Sequence, residues 1–264
     1  MDKNMLIHLD QDLIDNSATR LPICLCIDVS DTMTYVLPNT GFVESGETGV
    51  DDEGNTVVFG SGGIKRIDKL IEGLEKFKEE LMNDAVARTS AEICIVSFSD
   101  SAECLTEFCS ADKFEVPQLS TGGKTDMGAG VNLALDKLEE RKNLYKEMGI
   151  DYYQPMLVLF SDGAANGNKS VFMSASRRAC DLVNDKKLTC LPIAIGVDDD
   201  GENQAEVASA INCLKSFSPK NSPKSLNAIK FTDFFEWLSK SVSIRSRSQV
   251  GDIITAPSTE TWTL

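Results

Sequence analysis

The sequence predicts an α/β protein with a doubly wound, mostly parallel sheet and one antiparallel edge strand, and three observations carry that expectation. The apolar runs Ile23-Cys24-Leu25-Cys26-Ile27, Ile93-Cys94-Ile95-Val96, Met156-Leu157-Val158-Leu159-Phe160 and Leu191-Pro192-Ile193-Ala194-Ile195 are near-continuous rather than alternating, as strands covered on both faces are. Between them, apolar residues recur at three- and four-residue spacing, the mark of amphipathic crossover helices, and such strand–helix alternation builds a parallel sheet. Finally, only Ser99-Asp100-Ser101 separates Phe98 from the strand-like run that starts at Ala102. That is too little chain for a helical crossover, so a hairpin and one antiparallel strand are expected.

In chain order, residues 1–20 read as an N-terminal extension, residues 21–245 as one domain and residues 246–264 as a flexible tail, where polar Ser and Thr replace periodicity. The first strand leads into residues 35–62, a Gly-, Thr- and acid-rich insertion with Glu44, Glu47, Asp51, Asp52 and Glu53, far longer than the usual 2–6-residue loop. Within it Thr56-Val57-Val58-Phe59 has the β-propensity for one arm of a hairpin, whereas the acidic stretch is too polar to enter the core. Ile64, Ile67, Leu70, Ile71, Leu74, Phe77 and Leu81 predict the first crossover helix; Met127, Val131, Ala134, Leu135 and Leu138 predict the second. A third is expected over residues 171–187, a shorter one over 204–211 behind the acidic run Asp198-Asp199-Asp200-Gly201-Glu202, and a last one from Phe231, Phe234, Phe235, Leu238 and Val242. The acidic run lacks the spaced ligands of a calcium loop and reads as a helix cap.

The chain of 264 residues carries 26 Lys+Arg against 41 Asp+Glu, a formal charge of −15, so its averaged field repels phosphate backbones and anionic headgroups. Neither nucleic acid nor a membrane is an expected partner. The apolar runs are strand-sized, well short of the ~20 residues that span a bilayer. Acids interrupt the first ten residues before a signal-peptide core could form, which points to a cytoplasmic location. The eight cysteines include no C-x-x-C pair, and five of them (Cys24, Cys26, Cys94, Cys104, Cys190) lie in or beside strand runs, as small buried hydrophobes do. With His8 as the single histidine, zinc and histidine catalysis both lose their usual group.

In a doubly wound sheet, function collects at the carboxyl ends of strands. The first strand is followed by Asp28-Val29-Ser30-Asp31-Thr32, a later one by Ser161-Asp162-Gly163, and between them Ser120-Thr121-Gly122-Gly123-Lys124-Thr125-Asp126 sets Thr125 in a glycine-rich loop ahead of a helix. Asp28, Ser30, Thr32, Thr125 and Asp162 together offer two carboxylates and three hydroxyls with no His or Cys, a hard-oxygen set suited to Mg²⁺ or Mn²⁺. Singly, each motif also has a local reading: Asp-x-Ser-x-Thr as a turn or cap, and Thr125 with Asp126 as the cap of the helix near Met127.

The constellation resembles the metal-ion-dependent adhesion site of von Willebrand factor type A (VWA) domains, whose pattern is D-x-S-x-S, a distant Thr and a distant Asp; here Thr32 replaces the last serine and keeps its hydroxyl. The resemblance implies a Rossmann-like VWA fold. It also implies Ser30, Thr32 and Thr125 as direct ligands, and Asp28 and Asp162 as ligands directly or through water. Arg20-Leu21-Pro22, Phe234-Phe235-Glu236-Trp237-Leu238-Ser239 and Ser246-Arg247-Ser248 look most like the bacterial tellurium-resistance type. That likeness implies a role in a bacterial stress or defence assembly, beside a kinase-like or phosphatase-like protein.

Two enzyme readings compete. Gly123-Lys124-Thr125 looks like the end of a Walker A loop, but Gln118 stands where its first glycine is required. A magnesium-dependent phosphatase of the D-x-D-x-T type would need its second acid where Ser30 stands, and Asp31 is one residue off. With no Ser–His pair, activated Cys or acid/base dyad in these loops, no catalytic residue is assigned. The expectation is a non-enzymatic module whose metal ion takes an Asp or Glu of a protein partner; the alternatives are a scaffold with a vestigial site or the phosphatase.

Overall fold

Burial of β1 (Leu21–Asp28) along its whole length organises the molecule. The computed structural model describes residues 13, 16–37, 40–50, 56–162, 165–195, 204–226, 230–248 and 259. After β1 come the hairpin β2 (Val43–Val50) and β3 (Thr56–Ser61), helices α1 (Arg66–Asn83) and α2 (Ala85–Ser90), the antiparallel pair β4 (Ala91–Phe98) and β5 (Ala102–Ser110), and α3 (Met127–Met148). The remainder is β6 (Met156–Ser161), α4 (Lys169–Asn184), β7 (Thr189–Ile195), α5 (Gln204–Lys215), β8 (Lys224–Leu226) and α6 (Phe231–Ser246). Six strands form one sheet in the order β5-β4-β1-β6-β7-β8, in which the β4–β5 pair alone is antiparallel. The expected edge strand is therefore β5, and the strand order reverses beside β1.

Alternation along β1 sorts its side chains between two cores. Leu21, Ile23, Leu25 and Ile27 face the layer built with α1 and α6, whereas Cys24 and Cys26 face the layer of α3 and α4. In the first layer Phe160 meets Phe231, Phe234 and Phe235 at centroid separations of 5.4–6.3 Å. Gly73 lets α1 approach α6 closely: a Cβ there would stand 2.6 Å from the Phe235 ring. All eight cysteines are free thiols, four of them fully buried in the sheet, in line with their reading as small hydrophobes.

At the end of the sheet where β1 and β4 begin, Glu92 takes Arg141 Nε at 2.6 Å and the Tyr145 hydroxyl, and Arg20 Nε lies 3.8 Å from its other oxygen. All four side chains are buried. Arg20 also donates to the carbonyls of Thr89 and Asn16, at 2.9 Å each. Residue 20 thus belongs to the domain rather than to an extension, and Leu13 is buried as well.

The structure shifts several boundaries. Ile64 precedes α1 and is exposed. The third crossover helix spans Lys169–Asn184 instead of 171–187, because Asn168 accepts the Ser170 and Val171 amides and Lys186 takes a left-handed φ of 58°. Two short elements, α2 and β8, have no counterpart in the periodicity. The expected tail begins later than Ser246: the carbonyls of Ser246 and Ser248 accept the Tyr153 hydroxyl at 3.1 and 2.9 Å, and Arg247 pairs with Asp84 at 2.7 Å. His8 and the acidic run 198–202 lie outside the described residues.

The insertion contains the expected hairpin, with Val43–Val50 as the arm opposite Thr56–Ser61. Its stems zip together at the sheet, Leu37 N donating to Ile64 O at 2.8 Å and Arg66 N to Tyr35 O at 3.0 Å, and Leu37 is buried in the core. The arms themselves are exposed on both faces. Replacing residues 43–61 by a short Gly-Ser linker should therefore leave the thermal midpoint within a few degrees of wild type, since exposed surface contributes little. Glu92→Ala, by contrast, leaves two buried guanidinium groups without their carboxylate and should cost about 3–5 kcal/mol in urea unfolding.

Candidate metal centre

Asp28 is the last residue of β1 and Ser161 the last of β6, the neighbouring strand, so the strand reversal brings the loops that follow them to one crevice. Asp28 is fully buried, and both of its oxygens are engaged: Oδ1 accepts the Ser30 amide at 2.9 Å and Oδ2 the Ser161 hydroxyl at 2.6 Å. Ser30 then opens a 3-10 turn over Asp31–Thr34. Its hydroxyl lies 3.1 Å from that of Thr32, and Thr32 donates to Asp162 Oδ1 at 2.8 Å. Asp162 Oδ2 accepts Arg66 NH1 at 2.9 Å, and the Asp162 side chain is completely shielded from solvent.

The loop before α3 locks onto this cluster through its backbone. Gly122 N donates to Val29 O at 2.8 Å, Asp31 N to Gly123 O at 3.1 Å and Asp126 N to Ser99 O at 2.7 Å. Gly123 is required there, at φ 78°, because a Cβ would stand 2.5 Å from the Asp100 carboxylate, whose Oδ1 accepts the Lys124 amide. Asp126 caps α3 by accepting Ala129 N at 3.0 Å. The cap is thus Asp126, as the local reading allows, and the Thr125 hydroxyl is not used for it. Thr125 is fully buried, its amide and carbonyl bond Asn166 at 2.7 and 3.1 Å, and its Oγ1 has no hydrogen-bond partner among the described residues.

The structure thus joins Asp28, Ser30, Thr32 and Asp162 in one hydrogen-bonded cluster and ties the Thr125 loop to it. Sequence reasoning missed Ser161, Asn166 and Arg66. Ser161 could have been found from its place beside Asp162 at a strand end, but Arg66 lies 96 residues from its partner and left no local signal. The Walker A reading finds no support, because Gly123-Lys124-Thr125 follows an irregular stretch after β5 and no strand leads into it.

Burial first, and the charge of Asp162 second, raise the Asp28 carboxyl from 3.8 to about 7, against the hydrogen bonds from Ser161 and Ser30. The donor set fits a hard divalent ion: two carboxylates shielded from solvent, two clustered hydroxyls, and in Thr125 Oγ1 a buried oxygen without a partner among the described residues. No grouping of three or more His, Cys, Asp or Glu side chains able to hold a metal occurs among the described residues; a site here would depend on its hydroxyls.

No protein-family model matches the chain, and no curated protein matches it by sequence. Solved structures do match. The PilB minor pilin of Streptococcus sanguinis superimposes with a TM-score of 0.55 at 13% identity, over 86% of this chain and 62% of its own. The vWF domain of the type V pili tip protein Mfa5 from Porphyromonas gingivalis gives 0.54 at 12%, over 89% and 99%. A von Willebrand factor type A protein from Catenulispora acidiphila gives 0.52 at 13%, over 86% and 43%. The fold is therefore the VWA-like α/β fold. The chain spans less than two thirds of the pilin's length and less than half of the Catenulispora protein's. No helix among the described residues is long and apolar enough to cross a membrane.

Because Asp28 binds its proton more tightly in the fold than in the unfolded chain, unfolding releases a proton between the two pKa values. Without metal, stability should therefore fall as pH rises from about 4 to about 7. Thermal midpoints in chelator across that range should show this decline for wild type and a flatter profile for Asp28→Asn.

Proposed function

We propose that this chain is a non-enzymatic protein-binding module in which Asp28, Ser30, Thr32, Thr125 and Asp162 hold Mg²⁺ or Mn²⁺ and an Asp or Glu of a protein partner completes the coordination. The observation that carries this reading is the buried, unpartnered Thr125 Oγ1, on a loop bonded to the Asp28–Asp162 cluster. A buried hydroxyl without a partner is costly in a finished core and useful as a ligand. Bound there, the ion would supply Lewis acidity toward a partner carboxylate; the residues themselves supply only position and charge. The two acids balance a divalent ion and the hydroxyls add none, which leaves it electrophilic toward one more anionic oxygen. Structural neighbours described as a pilus adhesin and a pili tip protein fit a fold used for attachment.

The tellurium-resistance likeness supports a finer assignment to a bacterial stress or defence assembly with a kinase-like or phosphatase-like partner. Eight free thiols fit the reducing cytoplasm that this assignment implies. A second reading has its own observation: the Arg66–Asp162 ion pair already neutralises one acid, as a scaffold with a vestigial site would require. Titration with Mg²⁺ or Mn²⁺ separates the two. A functional site predicts a midpoint that rises with metal, by about 2.7 kcal/mol of stability at a hundredfold excess over Kd, in wild type and not in Asp28→Asn/Asp162→Asn. Equal responses from both proteins would place the ion elsewhere, and no response from either would favour the scaffold. Thr125→Ala should weaken metal binding while leaving the fold intact.

A further inference from the structure

We propose that Arg66 is a resident counter-cation of Asp162 which a divalent ion must displace, so that metal loading is coupled to the base of the β2–β3 hairpin. The inference rests on the metal-site reading above and goes beyond it in naming a competitor built into the chain. Asp162 has both oxygens engaged, Oδ1 by the Thr32 hydroxyl and Oδ2 by Arg66 NH1 at 2.9 Å, and its side chain is shielded from water. An ion that uses Oδ2 must take the place of the guanidinium. Charge gives the same answer: with both acids ionised and Arg66 in place the net charge is −1, and a divalent ion alone balances both acids, whereas ion and guanidinium together would leave an excess positive charge beside buried groups.

Arg66 can leave without unfolding the site. It is the first residue of α1, its side chain is 21% exposed, and a cation at a helix N-terminus opposes the helix dipole. Its other attachments are to the insertion: its amide donates to Tyr35 O, its guanidinium lies 5.6 Å from the centre of the Tyr35 ring, and Val36 pairs with Lys65 alongside. Release of the guanidinium from Asp162 therefore acts on the stem that carries the hairpin, and it frees a planar bidentate donor at the mouth of the site, where a partner carboxylate would arrive.

Mn²⁺ affinity measured by EPR on wild type, Arg66→Gln, Arg66→Lys and Asp162→Asn tests this. Arg66→Gln should bind Mn²⁺ at least tenfold more tightly than wild type, Arg66→Lys should fall between them, and Asp162→Asn should lose binding; binding by Arg66→Gln alone would support the proposal in its strongest form. In chelator, Arg66→Gln should melt below wild type and gain more from Mn²⁺. A second measurement needs no variant: the guanidinium resonance of Arg66, protected in the ion pair, should lose that protection in wild-type protein saturated with Mg²⁺. Unchanged or weaker Mn²⁺ binding by Arg66→Gln, or a protected resonance at saturating Mg²⁺, would overturn the competition and leave the metal site standing. Absence of Mn²⁺ binding in wild type and Arg66→Gln alike would overturn the metal site, and this proposal with it.

Discussion

β1 is buried on both faces and both edges and yet ends in a charged residue, and that constraint shapes the rest of the molecule. β1 pairs with β4 on one side and β6 on the other, and Asp28 stands in register with Phe98. Its carboxylate cannot reach water, so the neighbouring chain has to solvate it. Ser30 supplies a backbone N–H from the turn that follows β1, and Ser161 a hydroxyl that is available because β1 and β6 run parallel and end together. The hydrogen bonds that lock the Thr125 loop onto Val29 and Asp31 then follow from the same crevice. The fold places its polar chemistry where strand order reverses because there the backbone ends of adjacent strands are left uncovered by crossover helices.

How much of this was legible in the sequence depends on whether a feature is written in side chains close together in the chain. Four of the five parallel strands are visible because burial on two faces forbids alternation, and the β4–β5 hairpin because three residues cannot hold a helix; β8 is too short to leave a pattern. Asp28, Ser30 and Thr32 are visible as a local pattern. The arm Val43–Val50 was hidden because Gly46, Gly49 and two acids lower its propensity; it is a strand because β3 pairs with it. The segment from Ser246 to Ser248 is fixed through backbone carbonyls bonded to Tyr153, a link that any residue type could make and that composition therefore does not record. Arg66 reads in sequence as an ordinary polar residue at a helix start, and only the tertiary fold sets it against Asp162.

The insertion bears on the site through its stems rather than its tip. A two-stranded ribbon is marginal by itself in water, and this one exposes Val43, Val50 and Phe59 to 67%, 70% and 51%. Its stems, in contrast, are fastened by Leu37 in the core and by the Tyr35–Arg66 contact at the site. A ribbon that exposes a few apolar side chains among acidic and small ones, fastened at its stems beside a polar crevice, would offer a partner two kinds of surface within one contact.

The electrostatics of such a contact are local. A chain of net charge −15 repels an acidic partner at long range, yet that field is screened over about 8 Å at physiological salt, whereas charges in a buried crevice are screened far less. Within the crevice the balance is set by Asp28, Asp162 and whichever cation faces them. With Arg66 alone and Asp28 ionised, the crevice stays negative and rejects a carboxylate. With a divalent ion on the two acids and Arg66 at the mouth, the same crevice becomes attractive to one. On the proposed metal-site reading, a strongly acidic protein would accept an acidic side chain at a single place without becoming adhesive elsewhere, because the sign reversal would be confined to the few ångströms between Asp162 and the first turn of α1.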